Sequence, residues 1–560
     1  MKNINKSIKG IAVLMCMASL TGCIKETFPM GSTATEEQVQ LSPAATQALA
    51  DGMPASMLYV PSSWVDDGNH FCFGYGTEMI YRDMLTGDYY QTGETGYSHF
   101  ISWSRNMYMG DGYLKTQYHW NFHYLWWLLG VNQVVGAVDP EVATDQQKGL
   151  LGAALAFRAL AYLDLARMYE FLPNEKFLDG KNKDGNSVLN LTVPIVTDAT
   201  TPEQAANNPR ATREEMLKFI ESDLDAAEKY ITFQTTTNGG TMPDLACVYG
   251  LKARLYMWVE DYPKAKEYAR KAIDAAKVTP LTKEAALNPV SGYNTASDFM
   301  WAIQQNSQTD AVQTGIVNWT SWVSNQCTFA YTGPATNLFV VIDKRMYDRI
   351  SDTDWRKLQW IGPEGSPLND QIQTVVSAEA GPVNQYLIPY VSVKFRPGQG
   401  NSDDSNIGAA TALPVMRVEE MYFIEAEAAE HVSAGSGAAL LTSFMKQYRD
   451  PNYTFTDQGF GAVEEIVFQK RVELWGEGQT FFDIKRLDMS VTRGYKGTNC
   501  TDTRSCLNTN GRPAWMNLVM VRTESNNNHA LEGMNNPDPS DLYTPWTEYV
   551  KHINNDYNYE

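Results

Sequence analysis

KGLLGAALAFRALAYLDLARMYEF, residues 148–171, reads as a single helix. Leu151, Leu155, Tyr162, Leu165 and Tyr169 recur at helical spacing, and the opposite side is rich in alanine. That period belongs to a helix, not to a strand. A helix that is apolar nearly all round is expected to be buried on two sides. Arg158 sits in its middle. A buried guanidinium needs a carboxylate partner, because an unpaired buried charge is strongly destabilising.

Working outward, more helices appear. Residues 212–230 form an amphipathic helix, opened by Thr212 with Glu215 three residues on as a capping box. Residues 244–277 read as a helical hairpin that breaks at Asp261-Tyr262-Pro263, with Pro263 suited to a first helical turn. In its second half Ala265, Ala269, Ala272 and Ala276 make a small-residue face that a neighbour can approach closely, which resembles a tetratricopeptide unit. Helix returns at 414–431 and 462–476. The expected fold class is therefore mostly α, with helical hairpins as scaffold and long irregular loops.

Two regions break the pattern. From Tyr59 to Trp127 there are 19 aromatic residues in 69 positions, against 12% for the whole chain. The first part, set among Gly, Asp and Thr, reads as loop. The end, YHWNFHYLWWLLGVNQVV (118–135), reads as a helix with aromatics on nearly every face. Between 280 and 410 the periodicity fades, and Trp301, Trp319, Trp322 and Tyr331 stand among Asn, Ser, Thr, Gly and Pro. Irregular stretches of that length tend to carry function. From about residue 488 a polar, Asn-rich tail follows.

The N-terminus reads as a leader. Lys2, Lys6 and Lys9 precede an apolar run from Ile11 to Leu20, too short to span a bilayer but right for a signal peptide. Leu20-Thr21-Gly22-Cys23 resembles a lipobox, so residues 1–22 are expected to be cleaved and Cys23 acylated. Several acyl chains make a stable membrane anchor where one does not. Residues 23–45, polar and small, are the expected tether, and 46–560 the single folded domain. No other run reaches spanning length. Losing the three leader lysines takes the formal charge from −20 to −23. That balance argues against a nucleic-acid partner, which calls for a basic stripe. Cys72, Cys247, Cys327, Cys500 and Cys506 cannot all pair. Cys500 and Cys506 are close enough in sequence for a disulfide, with buried free thiols the first reading.

No HExxH, GxSxG or Walker loop is present, and no cofactor is expected. His119 and His123 are spaced i, i+4, but packing accounts for them better than a metal. Asp352-x-Asp354 reads as a turn with capping acids or part of a calcium loop. Glu473 and Glu477, also i, i+4, would have to straddle a sugar ring to act as a glycosidase pair. They read instead as partners of Arg471, Lys485 and Arg486 in a satisfied network. The aromatics remain. Ring faces cover the apolar face of a pyranose while amides and carboxylates take its hydroxyls. Helical rings such as Trp120, Trp126, Trp127, Trp258 and Trp475 are set aside as packing. The candidate ligand contacts are Trp103, Trp319 and Trp322 for stacking, Tyr89, Tyr90 and Tyr331 flanking them, and Asp83 and Asn318 for hydroxyls. Regions 71–113 and 305–340 are expected to meet and form one shallow platform.

Four segments together resemble the SusD/RagB family of outer-membrane lipoproteins. ALAFRALAYLDLARMYEFLP (154–173) is similar to that family's helix with Arg158, Tyr162, Leu165 and Tyr169. LPVMRVEEMYFIEAEAAE (413–430) is similar to its Arg-x-x-Glu helix through Arg417, Glu420, Ala426 and Glu427. IVFQKRVELWGEGQTFFDIKRL (466–487) matches its most specific signature at Arg471, Glu473, Leu474, Glu477, Gly478, Phe482, Asp483, Lys485 and Arg486. The hairpin at 244–277 is the fourth. EFLPNEKF (170–177) departs from the family's usual turn, and 59–115 and 305–410 carry no family pattern. Lys25-Glu26, after Cys23, resembles a surface-export tag. The resemblance implies a SusD-like fold and a non-catalytic, lipid-anchored surface protein. Such a protein would bind glycan and pass it to a SusC-like TonB-dependent transporter. The same fold binding peptides, and a surface glycoside hydrolase, are the alternatives.

Overall fold

A computed structural model describes residues 42–92, 99–234, 236–369 and 387–546. The leader, Cys23 and the tether up to residue 41 lie outside the described residues.

The longer helices follow in chain order. They are α1 (Pro43–Ser56), α2 (Tyr75–Met84), α3 (Leu114–Asn121), a π-helical segment (Phe122–Leu128), α4 (Leu129–Ala137), α5 (Asp145–Tyr169), α6 (Arg213–Tyr230), α7 (Leu245–Trp258), α8 (Tyr262–Ala275), α9 (Val418–Val432), α10 (Ser436–Tyr448), α11 (Ala462–Glu473) and α12 (Thr480–Arg486). Among the described residues, four short strands pair in twos. Strand β1 (Tyr89–Gln91) runs antiparallel to β3 (Val340–Ile342), and β2 (Trp301–Gln304) to β4 (Ala412–Met416). The mostly α reading is what the structure has. Helix α1 begins at Pro43, capped by Ser42, three residues before the expected domain boundary.

Helix α5 is the axis of the fold. Thr144 and Gln147 close a capping box at its start, and every residue from Gly149 to Tyr169 is buried. It is long and apolar enough to cross a membrane, unlike what the run-length reading expected, yet its apolar stretch is buried inside the protein. Helices α1, α4, α6 and α7 pack around it. A Cβ on Gly152 would collide with the backbone nitrogen of Ile231, so the crossing of this chain segment over α5 requires glycine there. Arg158 has the carboxylate its burial demanded. Its Nε and Nη2 donate to Asp223, both at 2.8 Å, and Nη1 to Asp198 at 2.9 Å.

The hairpin of α7 and α8 turns at Val259–Asp261. Ala265, Ala269 and Ala272 are fully buried where α9 lies against α8. Small side chains let the two helices come close, as their spacing implied.

Glu473 and Glu477 do sit in a satisfied network, but with other cations than expected. Arg417 and Arg449 donate to Glu473 Oε1 at 2.6 and 2.9 Å, and Arg356 reaches Oε2 at 3.2 Å. Lys394 and Arg417 hold Glu477 at 2.7 and 2.8 Å. Arg471 instead pairs with Asp88, Arg486 with Glu427, and Lys485 donates to the carbonyls of Arg167 and Met168. Burial pushes the Glu473 carboxyl up, but Arg449, Arg417 and Arg356 override it and hold it well below the usual carboxylate range.

The described part of the Asn-rich tail, up to residue 546, is tied to the fold. Asn517 accepts from the Leu172 N–H and donates to its carbonyl, Asn536 donates to the carbonyls of Tyr169 and Leu518, and Trp515 donates to that of Leu85. Short amides satisfy backbone groups that irregular chain leaves unpaired. All five described cysteines are buried free thiols.

Candidate functional site

The eight expected ligand contacts are all interior. None of Trp103, Trp319, Trp322, Tyr89, Tyr90, Tyr331, Asp83 and Asn318 is more than 4% exposed. The two aromatic regions do meet, but they meet in the core. Trp322 stacks on Tyr331 and presents an edge to Phe100, which packs on Trp103. Trp319 packs edge-on against Phe395, and Tyr89 packs tilted on Trp475, centroids 5.0 Å apart. Tyr90 donates to Asp343 at 2.8 Å from within the β1–β3 pair. Asp83 accepts the Gly478 N–H at 2.9 Å, and Asn318 caps the short helix Trp319–Val323 by accepting from Ser321. A surface platform built from these rings is therefore corrected. Tyr81 of α2 packs on Trp103 with centroids 4.5 Å apart, and Ser505 and Pro539 of the tail hydrogen-bond to Ser104 and Asn106, so these rings found core to enter after all.

The other candidates resolve similarly. His119 pairs with Glu78 at 2.7 Å, and His123 donates to the His119 carbonyl. Asp354 caps the turn at Trp355 and binds Arg356, while Asp352 binds Lys357. Glu473 and Glu477 are buried among guanidinium groups, where they cannot flank a sugar ring.

An open cleft of about 840 Å³ lies elsewhere. One wall is the end of α1 with the following Tyr59. Leu125 and Trp126 of the π-helix form the second, and the loop from Gln304 to Asp310 the third. Tyr59 and Leu125 are exposed, at 41% and 54%, and Trp126 is half-buried. Trp126 is held between Tyr59, at 5.1 Å between centroids, Tyr118 at 5.7 Å and the edge of Trp64 at 6.1 Å. Opposite it the loop is tied by its own side chains: Asn306 accepts the Gln308 N–H at 2.8 Å, and Thr309 accepts the Asn306 N–H at 3.0 Å. Gln304, Asn306, Gln308, Thr309 and Thr241 line the cleft with amides and hydroxyls. A second cleft, of about 610 Å³, is bordered by Leu49 of α1, Leu128 of the π-helix and Leu129 of α4.

The π-helix is what brings Trp126 to the wall. A wide turn inserts one residue into the helical register. Phe122, His123, Trp127 and Leu128 then face the core, and Leu125 and Trp126 do not. Trp126 had been set aside as packing. Residue order carries no signal for this, because a helix with rings on nearly every face is expected to be buried all round, as apolar α5 is, and only the π-helical shift in register turns Trp126 outward.

Comparison with known proteins identifies the family and the fold. A family model described as "Starch-binding associating with outer membrane" matches residues 69–257, and a model of the SusD family matches residues 330–545. Together they span more than half of the chain. The SusD-like protein P2 of Formosa agariphila is 22% identical over 503 residues, 86% of this chain and 90% of that protein. A SusD-like carbohydrate binding protein from Bacteroides vulgatus superposes with a TM-score of 0.64 at 18% identity, over 87% of this chain and 97% of that one. Surface glycan-binding protein A from Bacteroides thetaiotaomicron, solved in complex with laminarihexaose, gives a TM-score of 0.56 at 15% identity, over 88% and 99%. At these identities the structural likeness shows the fold.

Proposed function

This chain belongs to the SusD family, and from that premise we propose that it is a lipid-anchored surface protein that binds glycan and hands it, unmodified, to a SusC-like TonB-dependent transporter. The observation that carries the reading is the Tyr59–Trp126 pair in an open cleft faced by the Gln304–Asp310 loop. Aromatic faces cover the C–H face of a pyranose, and amides and hydroxyls meet its equatorial hydroxyls. The cleft has the volume of a small-molecule or oligomer site. The laminarihexaose bound by the Bacteroides thetaiotaomicron neighbour supports glycan as the ligand class. The lipobox at Cys23 supports the anchor.

The test is affinity electrophoresis of the protein through gels containing individual polysaccharides, with peptides as a parallel panel in calorimetric titration. Retardation by a polysaccharide, lost in Trp126→Ala, is the expected result. Peptide binding without any polysaccharide binding would replace glycan as the ligand. Shortened chains after prolonged incubation would overturn the non-catalytic reading.

A further inference from the structure

The charges around the Trp126 cleft narrow the class of ligand further, on the assumption that the cleft is the glycan site. Two carboxylates line it, Asp51 at the α1 wall and Asp310 at the loop wall, both exposed. Among the described residues no Lys, Arg or His lines it. Asp51 accepts from the neutral Gln47 amide at 2.8 Å, which leaves its charge uncompensated. The other polar groups on the walls are amides and hydroxyls, which hydrogen-bond without regard to sign.

An anionic sugar needs a cationic fork or a nest of backbone donors at its carboxylate or sulfate. Here it would meet two like charges in a chain whose net charge is already −20. We propose that the cleft takes uncharged glycans and rejects uronate- and sulfate-bearing ones. One charge placed about 4 Å from a carboxylate in water weakens binding by roughly fivefold, and a cleft partly emptied of water increases that factor. A polymer charged at every repeat places more than one such group. The expected discrimination is at least about tenfold at low salt, shrinking as ionic strength rises.

The experiment uses the full-length protein in detergent and two panels. Laminarin, pullulan, galactomannan and arabinoxylan are uncharged; polygalacturonate, alginate and carrageenan are anionic. Retardation by one or more uncharged polymers and by no anionic one supports the proposal. So does Asp51→Asn/Asp310→Asn gaining retention on an anionic polymer that does not retard the wild type. An anionic polymer that retards the wild type, and fails to retard Trp126→Ala, overturns the charge selection and leaves the cleft as the glycan site. One that retards both proteins alike puts the site elsewhere and sinks both readings. No retardation by any polymer sinks the glycan reading, and this inference with it.

Discussion

The indole of Trp322 lies flat on the phenol of Tyr331, ring centroids 4.3 Å apart and planes 13° from parallel. The indole Nε1 donates to the His70 carbonyl at 3.3 Å. A ring engaged on its face and at its nitrogen has nothing left for a sugar. Trp322→Ala is therefore expected to lower the melting temperature, at about 3–5 kcal/mol for a buried Trp, and to leave glycan affinity of the remaining folded protein unchanged. Thermal unfolding and calorimetric titration on the same sample check both halves.

Trp126→Ala should do the reverse. The residue is half-buried at a cleft wall, and its removal opens no sealed cavity. Loss of one stacking ring is expected to weaken glycan binding by roughly 1–3 kcal/mol, by analogy with base stacking, with a small change in melting temperature. A melting temperature that falls as far as that of Trp322→Ala, with affinity intact, would return Trp126 to the core.

Asp83 sets up a pH dependence. Burial raises its carboxyl from 3.8 to about 8, against the Gly478 N–H and the nearby Arg82, which pull it down. The folded form keeps its proton where the unfolded chain has released it. The contribution to stability is full below pH 4 and is lost as pH rises to about 8. Asp83→Asn should flatten that decline, which denaturant titrations of wild type and variant at pH 5 and pH 9 measure directly. Equal slopes in the two proteins would show that Asp83 ionises freely.

Glu473 works with the opposite sign. Its carboxyl is held well below the usual range in the fold, so the stabilisation is full above about pH 4.5 and is lost as pH falls toward the folded value. Glu473→Gln leaves Arg356, Arg417 and Arg449 with one neutral amide among them. At neutral pH that should destabilise by about 3–5 kcal/mol, and the variant should lose part of the wild type's acid sensitivity. Chemical unfolding from pH 3 to pH 7 separates the two effects.

Cys23→Ala should abolish membrane attachment and surface display, since the acyl chains have no other site in the lipobox. Protease treatment of whole cells reads out display. From detergent extracts the wild type is expected to bring down a TonB-dependent transporter through a broad interface. Recovery of the protein alone under mild conditions counts against that partner.

What could be read from residue order was local. The period of α5, the caps at Thr144 and Thr212 and the alanine face of α8 are written within a few turns of chain. Even the need of Arg158 for a carboxylate follows from its helix. Which carboxylate does not, because Asp198 and Asp223 arrive from a loop and from α6. The same limit explains the partners of Glu473, which come from residues 356, 417 and 449. It also explains why the expected ligand contacts are interior. Whether Trp322 is surface or core depends on Phe100 and Tyr331, and Phe100 lies more than 200 positions away. A Gly/Asp/Thr-rich neighbourhood marks irregular chain, not exposed chain.

The wide turn at Phe122–Leu128 has an evolutionary consequence. A π-helix absorbs one residue between two stretches of ordinary helix that keep their places. Loss of one codon there would restore the ordinary pitch and rotate the ring that now borders the cleft, while α4 stays packed on α5. A single-residue insertion or deletion at this rim would therefore change which side chains line the cleft. The interior, tied together by buried ion pairs between distant segments, has no comparable freedom to drift.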